Sequence, residues 1–484
     1  MVKKGMEKKY RKQRSLLHPI RRLSMEVLQQ IFAFAIDSNA MDVMPKESGS
    51  TILAPLFPVV KNPLWALALT CKAWHTVVIG SSMLWSTIFI DVKKANFEGD
   101  YNSTYLRSIA KQIHHSGCAP LSICIGNSER AENGPRPTPL PASIIHCLLP
   151  SAPRIRRLVL FLSLYTISHL YIFSRDLVNL EDVTIVNTPI NNGLSGAEQH
   201  LPLEVFEECP RIRRLHALNI ARPDAITVPP HLKEYIVEHD AVVVPLKSRG
   251  AAAMSVKGIL ARMRTLRQAD HFSIAVFSST APECEKFTLP SVSRLTINAR
   301  PLSAIRPIFS SLRLPHLTKL SVTARKRDAE FEGFESIKQM LRESRPPLTS
   351  FHLTTIPFSN TSLLQLWDSF ATITDLRITR FVSLSGLISQ LCTEKSTGGW
   401  LLPNLRWAMF KGRFNPACLE KLAFRISSSW NDVPMDTLEL TWVIGDDIGH
   451  DEKVRTLQGF ADILMHCGEL EICSLVEQSQ ATET

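Results

Sequence analysis

Apolar positions along this chain follow two periods, and the change from one to the other marks its organisation. Over residues 18–90 the period is helical. Leu28, Ile31, Phe32 and Ala35 recur at i, i+3, i+4 and i+7, which predicts a helix with all four on one face. Ser24 is placed to cap it, with Glu26 in its first turn, although Val27 stands where a capping box would need Glu or Gln. A second helix is expected from an Asn62 cap and Pro63 through Leu64, Leu67, Ala68, Cys71, Trp74 and Val78, stopping at Gly80. Ser82 heads a short turn carrying Met83, Leu84 and Trp85, and Thr87–Ile90 reads as extended. A helix around Tyr105–His114, a strand at Leu121–Ile125, a Pro- and Gly-rich loop at 126–141 and a short helix at Ser143–Leu149 follow.

Beyond residue 150 a strand-length template takes over: an apolar residue, a second three positions on, a third two after that. It fits Ile155/Leu158/Leu160, Leu180/Val183/Ile185, Leu232/Tyr235/Val237, Val292/Leu295/Ile297, Leu317/Leu320/Val322, Leu348/Phe351/Leu353, Ile373/Leu376/Ile378, Leu405/Ala408/Phe410, Met435/Leu438/Leu440 and Leu470/Cys473/Leu475. Ile212/Leu215 is weaker, with Ala217 in third place. Starts lie 20 to 35 residues apart, except for one interval of 60 that should hide a degenerate unit near Phe272–Val276. Helical stripes fall between units at Phe334/Ile337/Met340/Leu341, Leu363/Leu366/Trp367/Phe370 and Leu457/Phe460/Leu464/Cys467. Residues 242–262 break the period and are expected to bulge out as an insertion.

The repeat resembles a leucine-rich repeat of irregular period, without most of the Asn or Cys residues that close its turn. The expected fold class is therefore α/β, with parallel strands, helical connectors and one continuous core. The expected organisation is a basic arm (1–17), a helical domain (18–90) with an internal loop (36–61), a linker and cap (91–150), a solenoid (151–476) and a frayed tail (477–484). Residues between the anchors should face outward on a concave surface. At the central outward position these include Val159, His216, His352, Arg377 and Met409; two residues earlier come Arg157, Arg214, Arg294, Lys319 and Trp407. These polar and aromatic side chains are the expected client-binding face, with Trp407 beside Met409 as its hot spot.

The segment Pro19-Ile20-Arg21-Arg22-Leu23-Ser24-Met25-Glu26-Val27-Leu28-Gln29-Gln30-Ile31-Phe32, then Leu67–Trp74 with its Cys71-Lys72-Ala73-Trp74, then Met83-Leu84-Trp85, resembles an F-box of the kind abundant in mushroom-forming fungi. It departs from the family in having Ser24 where Pro is usual, and in the long 36–61 loop with its apolar run Ile52–Phe57. The resemblance implies a substrate-recognition subunit of a cullin-RING ubiquitin ligase. Ile20, Leu23, Ser24, Glu26, Leu28, Ile31, Phe32, Trp74 and Trp85 would serve the F-box and its docking on a Skp-family adaptor, with Trp74 and Trp85 mainly packing its small helical core, while the repeats would hold a client protein. The chain would be a monomer within that complex, with no chemistry of its own. The alternatives are a non-ligase interaction scaffold, or a nucleic-acid-associated protein using the basic arm.

Charge and composition narrow this little. Of the net charge of +10, +8 sits in residues 1–22, so the body is nearly neutral and carries no broad nucleic-acid footprint. No run long enough to cross a membrane and no secretory h-region is present, so no membrane association is expected. Ten cysteines without Cys-x-x-Cys fit an intracellular, reducing compartment, cytoplasm or nucleus. His114-His115, His146-Cys147 and His466-Cys467 lack the further ligands of a metal site, and Asp446–Asp451 lacks the spacing of a calcium loop. No phosphate loop or nucleophile elbow occurs. Cys71 is expected in the helical core, and no cofactor is expected.

Overall fold

Parallel strands form wherever the template falls among the described residues of the computed structural model: 20, 23–37, 63–95, 100–126, 140–186, 203–218, 220, 226–238, 255–276, 285–299, 302–324, 332–354, 366, 371–392, 401–413, 416–428 and 437–442. The result is an α/β protein of parallel strands with helical connectors. It divides into two compact units, the first made of Met1–Ile220, Ala225–Pro229 and His239–Ser248, the second of the remainder.

In the first unit, β1 (Thr87–Asp91), β2 (Leu121–Gly126), β3 (Ile155–Phe161), β4 (Asp182–Val186) and β5 (Arg214–Leu218) pair in chain order. Two apolar ladders run across them, Ile88–Ile123–Leu158–Val183–Leu215 and Ile90–Ile125–Leu160–Ile185–Ala217, all buried. The strands therefore start at Thr87, well before the expected start of the repeat. Trp85/Ile88/Ile90 and Pro120/Ile123/Ile125 obey the same arithmetic, but Trp and Pro occupy the first position and hide the match.

The helices α1 (Met25–Asp37), α2 (Pro63–Ala68) and α3 (Lys72–Gly80) precede β1. The single helix expected over 63–80 is two. Thr70 turns its hydroxyl back onto the Ala66 carbonyl at 3.0 Å and its N–H onto Leu67, and Cys71 then adopts extended backbone. Such back-bonding by a threonine hydroxyl competes with the helical pattern. Cys71 is left half-buried at the start of α3, not in the core. Leu28, Phe32, Leu64, Ala68, Val77, Val78, Leu84 and Trp85 form the small interior, and the Trp85 indole N–H donates to the Val78 carbonyl at 2.7 Å. The helix α4 (Asp100–His115) lies against β1, with the Gln112 amide on the Thr87 carbonyl at 2.8 Å and the Asp91 N–H on the Tyr105 hydroxyl at 2.7 Å.

The second unit carries β6 (Glu234–Glu238), β7 (His271–Val276), β8 (Arg294–Ala299), β9 (Lys319–Ala324), β10 (Ser350–Thr354), β11 (Asp375–Ser383), β12 (Trp407–Arg413) and β13 (Thr437–Trp442), again in chain order. The degenerate unit expected near Phe272 is β7. Its ladders are Tyr235–Phe272–Leu295–Leu320–Phe351–Leu376–Ala408–Leu438 and Val237–Ile274–Ile297–Val322–Leu353–Ile378–Phe410–Leu440. Each large member buried contributes roughly 1.5–3 kcal/mol. The unit at Leu470 lies outside the described residues.

Between strands, α5 (Glu332–Ser344) buries Phe334, Ile337, Met340 and Leu341, the expected stripe. Of the Leu363–Phe370 stripe only Leu366 is described, and it is buried; the Leu457 stripe lies outside the described residues. The expected insertion at 242–262 is corrected in its described part. Val256–Thr265 is a connecting helix capped by Ser255, and it seals Val256, Ile259, Leu260 and Met263.

Hydroxyls replace the missing turn Asn. Thr318 donates its side-chain O–H to the Ser293 carbonyl at 3.0 Å, Thr349 to Thr318 at 3.1 Å and Thr374 to Thr349 at 3.2 Å; Ser293 reaches the Asp270 carbonyl at 3.3 Å. The same carbonyls accept the main-chain N–H groups that open each strand, such as Thr318 and Lys319 on Ser293. The stack thus closes its turns with a Ser/Thr ladder one residue after the first template position.

Candidate functional site

Two surfaces carry side chains that the fold does not use for its own packing. One is on the helices. The expected apolar face of α1 is split: Leu28 and Phe32 are sealed, whereas Ile31 is 40 % exposed and Ala35 lies in solvent. The exposed apolar stripe is instead Val27, Ile31 and Phe34 at i, i+4 and i+7, with Phe34 77 % exposed. Leu69, in the turn between α2 and α3, is 83 % exposed, and Met83 is exposed after α3. Leu28 and Phe32 are thus corrected from docking residues to interior ones, and Trp85 is sealed in the small helical core, its expected main place. Trp74 is half-buried, edge-on to Phe32 at 4.9 Å. Ile20 and Leu23 are half-buried against the same interior. Ser24 and Glu26 are exposed; the Ser24 hydroxyl accepts the Val27 N–H at 3.4 Å, and its bond to Glu26 lowers that carboxyl's pKa.

Val27, Phe34, Leu69 and Met83 were not among the expected site residues. The signal for Phe34 was present: Ile31-Phe32-Ala33-Phe34-Ala35 is apolar all round, so one face had to be left over, and Val27 lies on that face one turn before Ile31.

The second surface is the outer face of the strands, and it differs between the units. In the first unit the expected client face is closed. Cys124, Val159, Phe161, Val186 and Leu218 form a second sealed cluster with Phe89 against it. His216, in register with Cys124 and Val159 through Thr184, is buried, which corrects its assignment to an open face. Arg157 is half-buried, and Arg214 is committed to Asp182 through two bonds of 2.6 Å. The Cys124 thiol is pushed up to about 12 by burial, which leaves it without nucleophilic character.

In the second unit β6 and β7 also bury their central outward residues, Ile236 and Ser273. From β8 to β12 the face opens. Thr296, Ser321, His352, Arg377 and Met409 stand in one row, all half-buried, and Arg294, Lys319, Ser350, Asp375 and Trp407 in the next. Of the expected residues, Lys319, His352, Arg377, Trp407 and Met409 come together here. Arg294 is engaged by Glu234 at 3.1 Å. The Arg377 guanidinium lies over the Trp407 ring, 4.2 Å from its centroid.

Ser350 and Asp375 were overlooked, although the same template offset places them beside Lys319 and Trp407. Ser350 Oγ donates to Asp375 Oδ2 at 2.9 Å, and His352 Nε2 meets both Ser350 Oγ (2.9 Å) and Asp375 Oδ2 (3.0 Å). Burial pushes the Asp375 carboxyl up, but hydrogen bonds from His352 and Ser350 and the charges of His352 and Arg377 outweigh it and hold it below the usual carboxylate range. A nucleophile-activating triad uses both imidazole nitrogens, one for the hydroxyl and one for the carboxylate. Here one nitrogen serves both, so the cluster is a hydrogen-bonded node, not a proton relay.

Among the described residues no three His, Cys, Asp or Glu side chains converge as metal ligands, and no helix is long and apolar enough to cross a membrane. The seven described cysteines are free. No protein-family model matches the sequence, and no curated protein matches it either.

Proposed function

We propose that the chain is a recognition subunit that bridges two proteins. The α1 stripe with Leu69 and Met83 docks on a Skp-family adaptor of a cullin-RING ubiquitin ligase, and the outer face of β8–β12 holds a client, in the manner of an F-box joined to a leucine-rich-repeat-like solenoid. The chain performs no chemistry itself; it raises the effective concentration of a client lysine near a thioester carried by another subunit. The observation that carries this reading is the apolar stripe Val27, Ile31 and Phe34, standing in solvent opposite a filled interior. Covering Phe34, the most exposed of the three, contributes roughly 1–2 kcal/mol, and the remaining exposed parts of Val27 and Ile31 less than that each; a helix presents this kind of surface to a hydrophobic groove.

The test is co-purification of the full chain with a Skp-family adaptor. Ile31→Asp with Phe34→Asp should abolish capture and leave the far-UV spectrum unchanged, because neither side chain belongs to the interior. Leu28→Asp with Phe32→Asp is uninformative, since both are sealed and the helices would unfold. Wild-type chain that captures no adaptor favours a scaffold acting through its strands alone. Salt-sensitive nucleic-acid binding that vanishes on deleting residues 1–15 would favour the basic-arm alternative.

A further inference from the structure

We propose that the outer face of β9–β12 seats an extended acidic protein segment; this rests on the assignment of that face to client binding and adds the chemistry of the client. Among the described side chains three cations face it: Lys319 on β9, Arg377 on β11 and Lys411 on β12. One described carboxylate, Asp375, stands among them, and it is already engaged. Its Oδ2 takes Ser350 and His352, and its Oδ1 lies 3.6 Å from Arg377 Nε, an ion pair too long for a hydrogen bond. Among the described residues Lys319 and Lys411 have no ion-pair partner. The positions around them are hydroxyls, Ser321, Thr323, Thr354 and Thr379, which donate to carboxylates and bring no opposing charge. Glu234 is spent on Arg294, and Glu439, opposite Met409, sits one strand beyond.

Dimensions suit an extended segment. Lys319 and Lys411 are three strand steps and four residues apart in register, roughly 20 Å at ordinary strand spacing and rise. About six extended residues span that distance. Met409 stands beside the line between the two lysines and gives the segment an apolar anchor, with Trp407 next to it on the same strand. A single-stranded nucleic acid fits less well. Arg377 already covers one face of Trp407, which leaves less of the ring for a base to stack on, and Asp375 would oppose a phosphate.

The experiment is fluorescence anisotropy of the full chain with a fluorescein-labelled glutamate-rich peptide, an uncharged Gly/Ser peptide and a poly-uridine oligonucleotide. The glutamate-rich peptide should bind best, and its affinity should fall with added salt. Lys319→Glu with Lys411→Glu should weaken it by about tenfold. Lys257→Glu, an exposed change on a connecting helix, should leave it unaltered. Equal binding of the uncharged peptide, tighter binding of the oligonucleotide, or undiminished affinity in the double variant would each overturn the proposal. Adaptor capture on the same preparation separates the two readings. Capture without peptide binding removes only the acidic client; peptide binding without capture removes only the ligase role.

Discussion

The two units are built alike on their inner faces and differ on their outer ones. Both stack apolar ladders two residues apart, and both hang connecting helices from them. Yet β1–β5 close over Cys124, Val159, Phe161, Val186 and Leu218, while β8–β12 leave Thr296, Ser321, His352, Arg377 and Met409 within reach of solvent. The inner ladders build the fold. The outer positions are free to vary, and there one unit makes a second core and the other a polar surface.

The sharpest way to break this comparison is to put a charge at the same template position in each unit. Val159→Asp buries a carboxylate in a sealed cluster and should cost more than about 4 kcal/mol, leaving little folded protein. Ser321→Asp should change stability by no more than about 0.5 kcal/mol, because its position is open. Circular dichroism and urea melts read both, and similar losses in the two variants would erase the distinction.

Leu320→Ala strikes the inner ladder and should cost about 2–5 kcal/mol in the same melts. Thr349→Val removes one rung of the hydroxyl ladder. Its acceptor, the Thr318 carbonyl, keeps two main-chain donors, so the loss should be about 1 kcal/mol or less. A loss as large as that of Leu320→Ala would make the hydroxyls a principal support of the turns.

Much of this was legible in advance. The inner ladders follow from a fixed three-position template, and that spacing survives in each described strand. What was missed has physical causes. Trp85 and Pro120 stand in first positions that aliphatic residues fill in the units beyond residue 150. Thr70 breaks a helix whose apolar period runs on through it. The α1 stripe was assigned to the wrong face because that helix is apolar on both. The closed outer face of β3 did leave a mark: Leu158–Phe161 is a continuous apolar run, as in strands buried on both sides, not an alternation. The node at Ser350, His352 and Asp375 was open to the same arithmetic but needed the register to show that neighbouring strands bring the three together.

The smallest expected effects are on pH dependence, and they fall in the second unit. The Asp375 carboxyl is held low in the folded state. Its contribution is complete above the unfolded carboxylate value of about 4 and is lost as pH falls through the folded value. Burial, and then the charge of Arg294, lower the pKa of His271. The folded state therefore binds its proton less readily than the unfolded chain. Stability is complete above the unfolded value of about 6.5 and declines as pH falls from there toward the folded one. Melts between pH 7 and pH 3 should show both slopes. His271→Gln should flatten the upper one and Asp375→Asn the lower, each by about 1 kcal/mol or less.

Thiol labelling tests the contrast between the two outer faces most directly. Cys124 lies on the closed face, and Ser321→Cys would place a thiol at the equivalent open position. After brief exposure of the native variant to a maleimide, mass spectrometry of its peptides should find the introduced thiol modified and Cys124 untouched until the protein is unfolded. Rapid modification of Cys124, or protection of the thiol introduced by Ser321→Cys, would contradict the account.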